Sequence, residues 1–306
     1  EKGARLIPER ISAVDIKKGG RPEIKTRNSP ARLYDLLCVA VGVNSPTAKL
    51  FEKLDIGYQS PEATKTFICE YYFGEDVIEE VLGSSMHVFL LDIPRLEFAA
   101  IIPKGDYATV CMLGEGIDDK LVQSFLNSQV VQECMPPGWQ ADARSCRCLP
   151  RININGAKQP YSDRIVFIGD CGVTRLYKDG IGAAYRTAKA AATTAILQGI
   201  SADDFEEYFI PTCKAISRDN TIGKLNFLVT GQIKGLRFAR GGLLRMTIDE
   251  QEKEGNQRYM STVMWDMFTG SAPYQEILMR TVHPVFLFRF IGSMMSAIWH
   301  QITKAR

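Results

Sequence analysis

Residues 164–192 read RIVFIGDCGVTRLYKDGIGAAYRTAKAAA. The apolar run at 165–168 is typical of a strand buried on both faces, as parallel strands are. The run ends before Asp170, and Asp179 offers an N-cap for an alanine-rich helix over 181–197. This order of strand, polar loop and helix is typical of an open α/β sheet, where ligands bind beyond the carboxyl ends of the strands.

The residues between that strand and that helix favour a nucleotide cofactor. The Gly169-Asp170 pair places a carboxylate where it can accept hydrogen bonds from the hydroxyls of a sugar or ribityl chain. Gly180 and Gly182 flank Ile181 and carry no Cβ, so a planar ring can approach the backbone. The positive end of the helix dipole favours anionic charge on that ring. The structural alternatives are a solvated turn aspartate and glycines that serve only a tight turn and close packing.

Two other segments fit the same architecture. Residues 35–45 read DLLCVAVGVNS, and the apolar run at 36–41 is typical of a strand buried on both faces, which we expect to share a sheet with 165–168. The run is followed by a turn at Asn44-Ser45, and these two residues could equally only cap the turn. Residues 64–114 have strand-like patterns in four places, with a hairpin turn at Gly105-Asp106 and Pro103 expected to end the preceding strand.

The stretch at 164–192 resembles the second FAD-binding motif of the geranylgeranyl reductase and aromatic hydroxylase class of flavoproteins. Residues 35–45 are similar to a strand and turn of that class near the adenosine and pyrophosphate of FAD. Residues 96–114 are similar to a hairpin in its substrate domain. Together the resemblance covers about residues 1–210. It implies that Asp170 binds the ribityl chain and that Gly180, Ile181 and Gly182 face the flavin pyrimidine.

The chain departs from that class in two ways. The loop before the helix is more charged than usual, with Arg175, Lys178 and Asp179, and Cys171 replaces a common alanine. Arg175, Tyr177 and Lys178 are either ordinary loop residues or contacts to flavin or substrate. No Gly-x-Gly-x-x-Gly dinucleotide fingerprint occurs in the 306 residues. We therefore expect the C-terminal portion of a flavoprotein, which by itself binds FAD weakly or not at all.

Composition excludes several classes of protein. The 306 residues are 45% hydrophobic and 24% charged, which excludes disorder, collagen and a polytopic membrane protein. A formal net charge of +2 argues against nucleic-acid binding driven by bulk charge. The eight cysteines do not form the pattern of a disulfide scaffold in so long a chain, which favours a reducing, cytoplasmic location.

The pair Cys146 and Cys148 also suggests a metal or thiol redox role, because residues two apart on an extended segment face the same side. The chain holds three histidines and no second paired cysteine motif, which disfavours zinc. We therefore predict no metal site.

The C-terminal third is expected to be helical, with Pro211 interrupting one helix and Gly241-Gly242 breaking another. Within 284–300 a wide apolar face predicts either a buried core or dimer-interface helix, or a helix lying in a membrane surface. For the second alternative Trp299, Lys304 and Arg306 would be the anchors. Self-association and peripheral membrane contact are therefore both open.

These observations predict an α/β fold with a partial, Rossmann-like FAD-binding domain (1–50 and 151–200), an inserted antiparallel β-sheet substrate domain (51–150) and a helical C-terminal region (201–306). The predicted function is that of an FAD-dependent oxidoreductase, a flavoprotein that moves hydride between the flavin and an apolar, isoprenoid or quinone-like substrate. Reduction of isoprenoid double bonds is nearest to the motifs, and hydroxylation and quinone-linked dehydrogenation are the open alternatives. The alternative is a non-enzymatic module that docks partners or membranes through the sheet face and the apolar C-terminal helix.

Overall fold

The computed structural model describes residues 3–17, 20–140, 147–252 and 258–304. The chain forms two compact units, the first from Glu1–Ala63 with Asn153–Asn220 and the second from Thr64–Ile152 with Thr221–Arg306. The chain thus passes between units after Ala63, Ile152 and Asn220. The sequence-based divisions were placed at residues 50, 150 and 200. The assignment of these segments to a cofactor domain and a substrate domain remains a prediction.

The strands are β1 (Ile11–Ile16), β2 (Pro22–Thr26), β3 (Arg32–Leu33), β4 (Leu37–Val39), β5 (Glu62–Lys65), β6 (Phe67–Tyr72), β7 (His87–Phe89), β8 (Leu96–Lys104), β9 (Tyr107–Gly114), β10 (Arg147–Cys148), β11 (Arg151–Asn155), β12 (Tyr161–Ser162) and β13 (Ile165–Phe167). The helices are α1 (Ala48–Phe51), α2 (Glu75–Val81), α3 (Asp119–Leu126), α4 (Gln129–Gln132), α5 (Gly180–Leu197), α6 (Ala202–Asp204), α7 (Ile210–Gly235), α8 (Arg237–Gln251), α9 (Tyr259–Thr269), α10 (Tyr274–Thr281) and α11 (Pro284–Lys304). A 3-10 turn covers Gly169–Cys171, and a π-helical turn covers Phe205–Phe209. The fold is mixed α/β, with several small sheets and many helices.

The first unit contains a three-stranded sheet in the order β12-β13-β4. β13 runs parallel to β4, with Ile165 opposite Leu37 and Phe167 opposite Val39. All three residues of β13 are buried, as its apolar run predicts. The expectation that residues 36–41 form a strand buried on both faces was wrong. β4 lies at the edge of its sheet, and Cys38 is exposed.

The second unit is built on a five-stranded antiparallel sheet in the order β10-β6-β9-β8-β7. The hairpin turn at Gly105-Asp106 is confirmed. Pro103 does not end β8, because it pairs with Ala108 inside the strand. The apolar sides of α3 and of this sheet share one core, which includes Leu121 and Phe125.

Two expected helix breaks are absent. Pro211 is the second residue of α7, directly after the π-helical turn. A π turn has a different hydrogen-bond spacing, which accommodates the missing proline N–H. Gly242 lies inside α8, where an added Cβ would come within 2.9 Å of the Met294 backbone. This glycine therefore permits close packing of α8 on α11 rather than ending the helix.

Among the described residues, no single helix has the length and hydropathy needed to cross a membrane. The pair formed by Tyr274–Thr281 and Pro284–Trp299, bent by 64°, reaches that length and composition together.

Candidate functional site

The site begins where the two parallel strands of the first unit end. The backbone N–H of Ile168 donates to the carbonyl of Val39 over 3.0 Å. The buried Cys171 thiol lies 3.1 Å from that same carbonyl. The carboxyl ends of β4 and β13 therefore meet, which confirms that the two apolar segments share one sheet. Burial raises the pKa of the Cys171 thiol, despite nearby backbone N–H groups that include those of Val41 and Gly42.

Gly169 lies just after β13 and contacts α5. Its φ of +63° lies in the region that favours glycine. Its N–H donates to the Thr187 hydroxyl over 3.0 Å, and that hydroxyl donates to the carbonyl of Ala183 over 2.9 Å. An added Cβ would come within 3.2 Å of Ala184. The loop is thus held directly against the first turns of α5.

Asp170 is oriented toward the start of α5, as predicted. A Cβ built on Gly180 would lie 3.5 Å and 3.7 Å from the two carboxylate oxygens of Asp170. The backbone carbonyl of Asp170 accepts a hydrogen bond from the Asn153 amide over 2.8 Å. The side chain is half-buried. A carboxylate is therefore fixed beside a glycine where the helix begins, and the absent Cβ leaves both groups accessible to one ligand.

The N-terminus of α5 is capped by its own carboxylate. Asp179 has a left-handed φ of 55°, and its Oδ1 accepts from the Gly182 N–H over 3.1 Å. Its Oδ2 lies 3.2 Å from Arg186 and 3.9 Å from Arg175. A Cβ on Gly182 would overlap the Asp179 carboxylate. The N-cap prediction is confirmed, but this amide is not open to an anionic ring in the way that the sequence suggested.

The loop from Cys171 to Leu176 is buried along its whole length. The Asn220 amide holds it with two hydrogen bonds, accepting from the Leu176 N–H over 2.8 Å and donating to the Thr174 carbonyl over 2.9 Å. Arg175 is 5% exposed, and its Nε lies 3.6 Å from Asp219. Of the two roles that the sequence left open for Arg175, this geometry fits that of a loop residue, which is held here by an internal ion pair.

Two buried polar atoms near this loop are unsatisfied among the described residues. They are Oδ1 of Asn153 and the hydroxyl of Thr174. Each side chain is about 5% exposed. Such atoms are rare in native structures, and each is a group that a bound molecule or an ordered water can satisfy. Both atoms are too deeply buried to meet a molecule at the surface of the loop, so an ordered water is the partner that fits them best.

The remaining predicted cofactor residues lie nearer to solvent. Ile181 is 90% exposed, and Tyr185, one turn further along α5, is 64% exposed. Asn44 is exposed and Ser45 is half-buried in the turn after β4, where the Ser45 hydroxyl accepts from the Thr47 N–H over 3.2 Å. Their contact with a cofactor remains a prediction.

Sequence reasoning missed Asn153, Thr187 and Asn220, which hold the loop in place. Only Thr187 had a local signal, since it lies on the α5 face one turn after Ala183. Asn220 is 44 residues from Leu176.

The cysteines that the structure describes are free thiols. Seven of them are described and are not in disulfides. Cys148 is exposed in β10, whereas Cys146 lies outside the described residues, so their joint role is untested. No group of three metal-ligating side chains occurs in the described part of the chain.

No protein-family model and no curated protein sequence matches this chain. Solved structures do match. The halogenase PltM in complex with phloroglucinol and FAD aligns with 97% of this chain at a TM-score of 0.52 and 10% identity. BrvH, a flavin-dependent halogenase from Brevundimonas sp. BAL3, aligns with 98% at a TM-score of 0.54 and 14% identity. A mutant of PqsL from P. aeruginosa aligns with 75% at a TM-score of 0.50 and 15% identity.

The chain therefore shares a fold with flavin-dependent halogenases along nearly all its length. It spans 65% of the length of PltM and 63% of that of BrvH.

Proposed function

We propose that this chain binds FAD in its first unit and is part of an FAD-dependent oxidoreductase. The observation that carries the proposal is the Asp170 carboxylate beside Gly180, at the end of a parallel strand and the start of an alanine-rich helix. The shared fold supports it, because PltM, a protein of that fold, has been crystallised with FAD.

The residues have distinct parts in this proposal. Asp170 orients the ribityl chain by accepting hydrogen bonds from its hydroxyls. Gly180 leaves room for the ring beside Asp170, with the exposed Ile181 next to it, whereas the space beside Gly182 is taken by the Asp179 carboxylate. When bound, the flavin supplies the redox chemistry, exchanging a hydride with the substrate. Asn153 and Asn220 are positioning residues, since they hold the loop that carries Asp170.

We expect an apolar substrate, with isoprenoid or quinone-like compounds as the nearest classes. Reduction of isoprenoid double bonds is the subclass that the sequence motifs resemble. Incubating the reduced flavin form with a prenyl alcohol or a quinone, and following flavin reoxidation by absorbance under anaerobic conditions, distinguishes these two classes. If neither compound reoxidises the flavin, this choice of substrate is wrong.

Titration with FAD and with riboflavin tests the cofactor site. The Gly-x-Gly-x-x-Gly loop that commonly holds a dinucleotide pyrophosphate does not occur in the sequence. We therefore expect weak binding, with riboflavin within about threefold of FAD, measured by quenching of flavin fluorescence. Tight stoichiometric FAD binding with much weaker riboflavin binding would show that this chain holds the pyrophosphate as well.

A variant pair tests the role of Asp170. Asp170→Ala removes an acceptor for the ribityl hydroxyls and should weaken flavin binding at least tenfold, because a hydrogen bond to a charged group contributes ~1.5–3 kcal/mol. Asp203→Ala removes an exposed carboxylate of the same unit, outside the segments that resemble FAD-binding motifs, and should leave binding unchanged. Equal affinity for the Asp170 variant and the unmodified chain contradicts the site.

The exposed face of α11 favours a second function, contact with an anionic membrane surface. Phe288 is 82% and Trp299 is 71% exposed, and Ile291, Met295 and Ile302 continue the same face. No acidic residue occurs between 284 and 304 in the sequence, whereas Arg289 and Lys304 are basic. Such a helix suits the interface of anionic lipids. Phe286 does not belong to this face, because it is 5% exposed. Arg306 and the Lys304 side chain lie outside the described residues.

Flotation with phosphatidylcholine vesicles, with and without phosphatidylserine, tests this contact. Binding should need the anionic lipid and should be lost when Phe288 and Trp299 are changed to Glu. Val130→Glu, on the exposed side of α4, is the matched control. Unchanged flotation of the double variant excludes a membrane role for α11. Self-association that the same changes abolish would instead identify this face as an interface between two copies.

A further inference from the structure

A cavity of about 250 Å³ lies among the helices of the second unit. Side chains of α7, α8, α9, α10 and α11 line it, and no charged side chain does so among the described residues. Methionines and phenylalanines, including Met264, Met267 and Phe290, form much of its wall. Methionine is common at sites that accept varied apolar shapes, because its side chain is flexible and polarizable.

The polar side chains at this wall already have partners. Among the described residues these are Asn226, Thr230 and Thr281. Asn226 donates to the Tyr274 carbonyl over 3.1 Å, Thr230 to the Asn226 carbonyl over 2.9 Å and Thr281 to the Leu278 carbonyl over 2.8 Å. The donor groups are therefore engaged within the protein. A charged or strongly polar molecule would lose its water and gain few hydrogen bonds in return here.

The cavity is accessible from one side. Val229, Val282 and Leu287 line it and are each between 43% and 50% exposed, so they form an apolar mouth. Atoms that line an apolar space without a neighbour lose dispersion contacts, and an apolar molecule restores these contacts when it enters. An apolar cavity of ~150 Å³ in another protein binds benzene. The larger volume here fits a molecule of about two fused rings or a branched hydrocarbon of similar size.

We propose that this cavity is a binding site for an uncharged apolar molecule of the size of two fused rings. The site lies wholly within the second unit and needs no flavin. Its test is therefore independent of the cofactor proposal.

Equilibrium dialysis of the purified full chain against naphthalene tests the site. We expect saturable binding of one naphthalene per chain, and at least tenfold weaker binding of naphthalene-2-sulfonate, which has the same rings and a charge. Leu243→Trp places a large ring in the cavity and should weaken naphthalene binding at least tenfold. Leu244→Trp changes the next residue, which is 60% exposed and does not line the cavity, and should bind as the unmodified chain does.

Val263→Phe fills the cavity from α9 and gives a second measurement if Leu243→Trp does not fold. Naphthalene should also raise the midpoint of thermal unfolding of the unmodified chain, and raise it less in the filled variants. Non-saturable binding, equal affinity for the sulfonate, or unchanged affinity in a folded filled variant would each overturn the proposal.

Discussion

Two regions differ in how completely their buried polar side chains are hydrogen-bonded: the start of α9 in the second unit, and the loop after β13 in the first. At α9, the buried Glu250 carboxylate accepts hydrogen bonds from the backbone N–H groups of Tyr259, Met260 and Ser261. At the loop, Asn153 and Thr174 each keep one buried polar atom without a partner among the described residues. A fully bonded polar group stabilises the fold, whereas an unsatisfied buried one contributes no hydrogen bond to it unless a water or another molecule supplies the partner. Substitutions in the two regions should therefore affect different properties.

The largest effect on stability is expected at Glu250. Glu250→Ala leaves three N–H groups of α9 without their acceptor and should lower the free energy of unfolding by about 3 kcal/mol. Urea denaturation followed by circular dichroism measures this loss. Glu252→Ala, two residues further at an exposed position, should change stability by less than about 0.5 kcal/mol. Equal losses in both variants would contradict the capping role.

Asn220→Ala should have the next largest effect on the free energy of unfolding. It removes two buried hydrogen bonds to the loop that precedes α5 and should cost about 2 kcal/mol. Asn28→Ala, at an exposed position of the same unit, is the control. The variant should also bind flavin more weakly, since the loop loses its support. If stability falls while flavin affinity stays the same, Asn220 supports only the fold.

Alkaline pH should destabilise the first unit through its buried thiols. Burial raises the pKa of Cys171, and it raises the pKa of Cys213 to about 12. The folded state therefore favours the neutral thiols. Their contribution is complete below the unfolded pKa of about 8.5 and declines as pH rises above it, by about 1 kcal/mol at pH 9.5 for Cys213. Cys213→Ala should reduce the difference in unfolding free energy between pH 8 and pH 9.5. An unchanged difference would show that other groups cause it.

The smallest effect on stability is expected at Asp170. Its carboxylate makes no hydrogen bond within the described residues, so Asp170→Asn should change the free energy of unfolding by less than about 0.5 kcal/mol. Flavin affinity should nevertheless fall. A large loss of stability would show that Asp170, like Glu250, stabilises the fold, and would contradict a role confined to ligand binding.

The parts of this fold that could be predicted are those encoded by consecutive residues. The apolar run before Gly169, the N-cap at Asp179 and the turn at Gly105-Asp106 each depend on a few neighbouring side chains. That β4 and β13 share one sheet was also expected, from their two apolar runs.

The errors arise where tertiary context overrides a local rule. Pro103 is tolerated inside β8, and Pro211 is tolerated because a π turn precedes it. Gly242 continues α8 because α11 packs closely against it.

The candidate site was predictable only in part. Asp170 and Gly180 follow from one continuous motif. Asn153 and Asn220 come from segments far from the loop that they hold, so no local pattern could identify them. The contacts of Asn44, Ser45 and Ile181 with a cofactor remain predictions, as does the division of the chain into cofactor and substrate domains.

The carboxylate that caps α5 determines which part of a ligand can approach that helix. Because the Gly182 N–H already binds Asp179, a phosphate arriving there would have to compete with an acid attached to the same chain, and the two negative charges would repel. An uncharged group is not repelled by the Asp179 carboxylate. In the proposed binding mode, the cap therefore favours an uncharged part of the nucleotide over a phosphate at the Gly182 N–H, which would set the direction of the bound molecule.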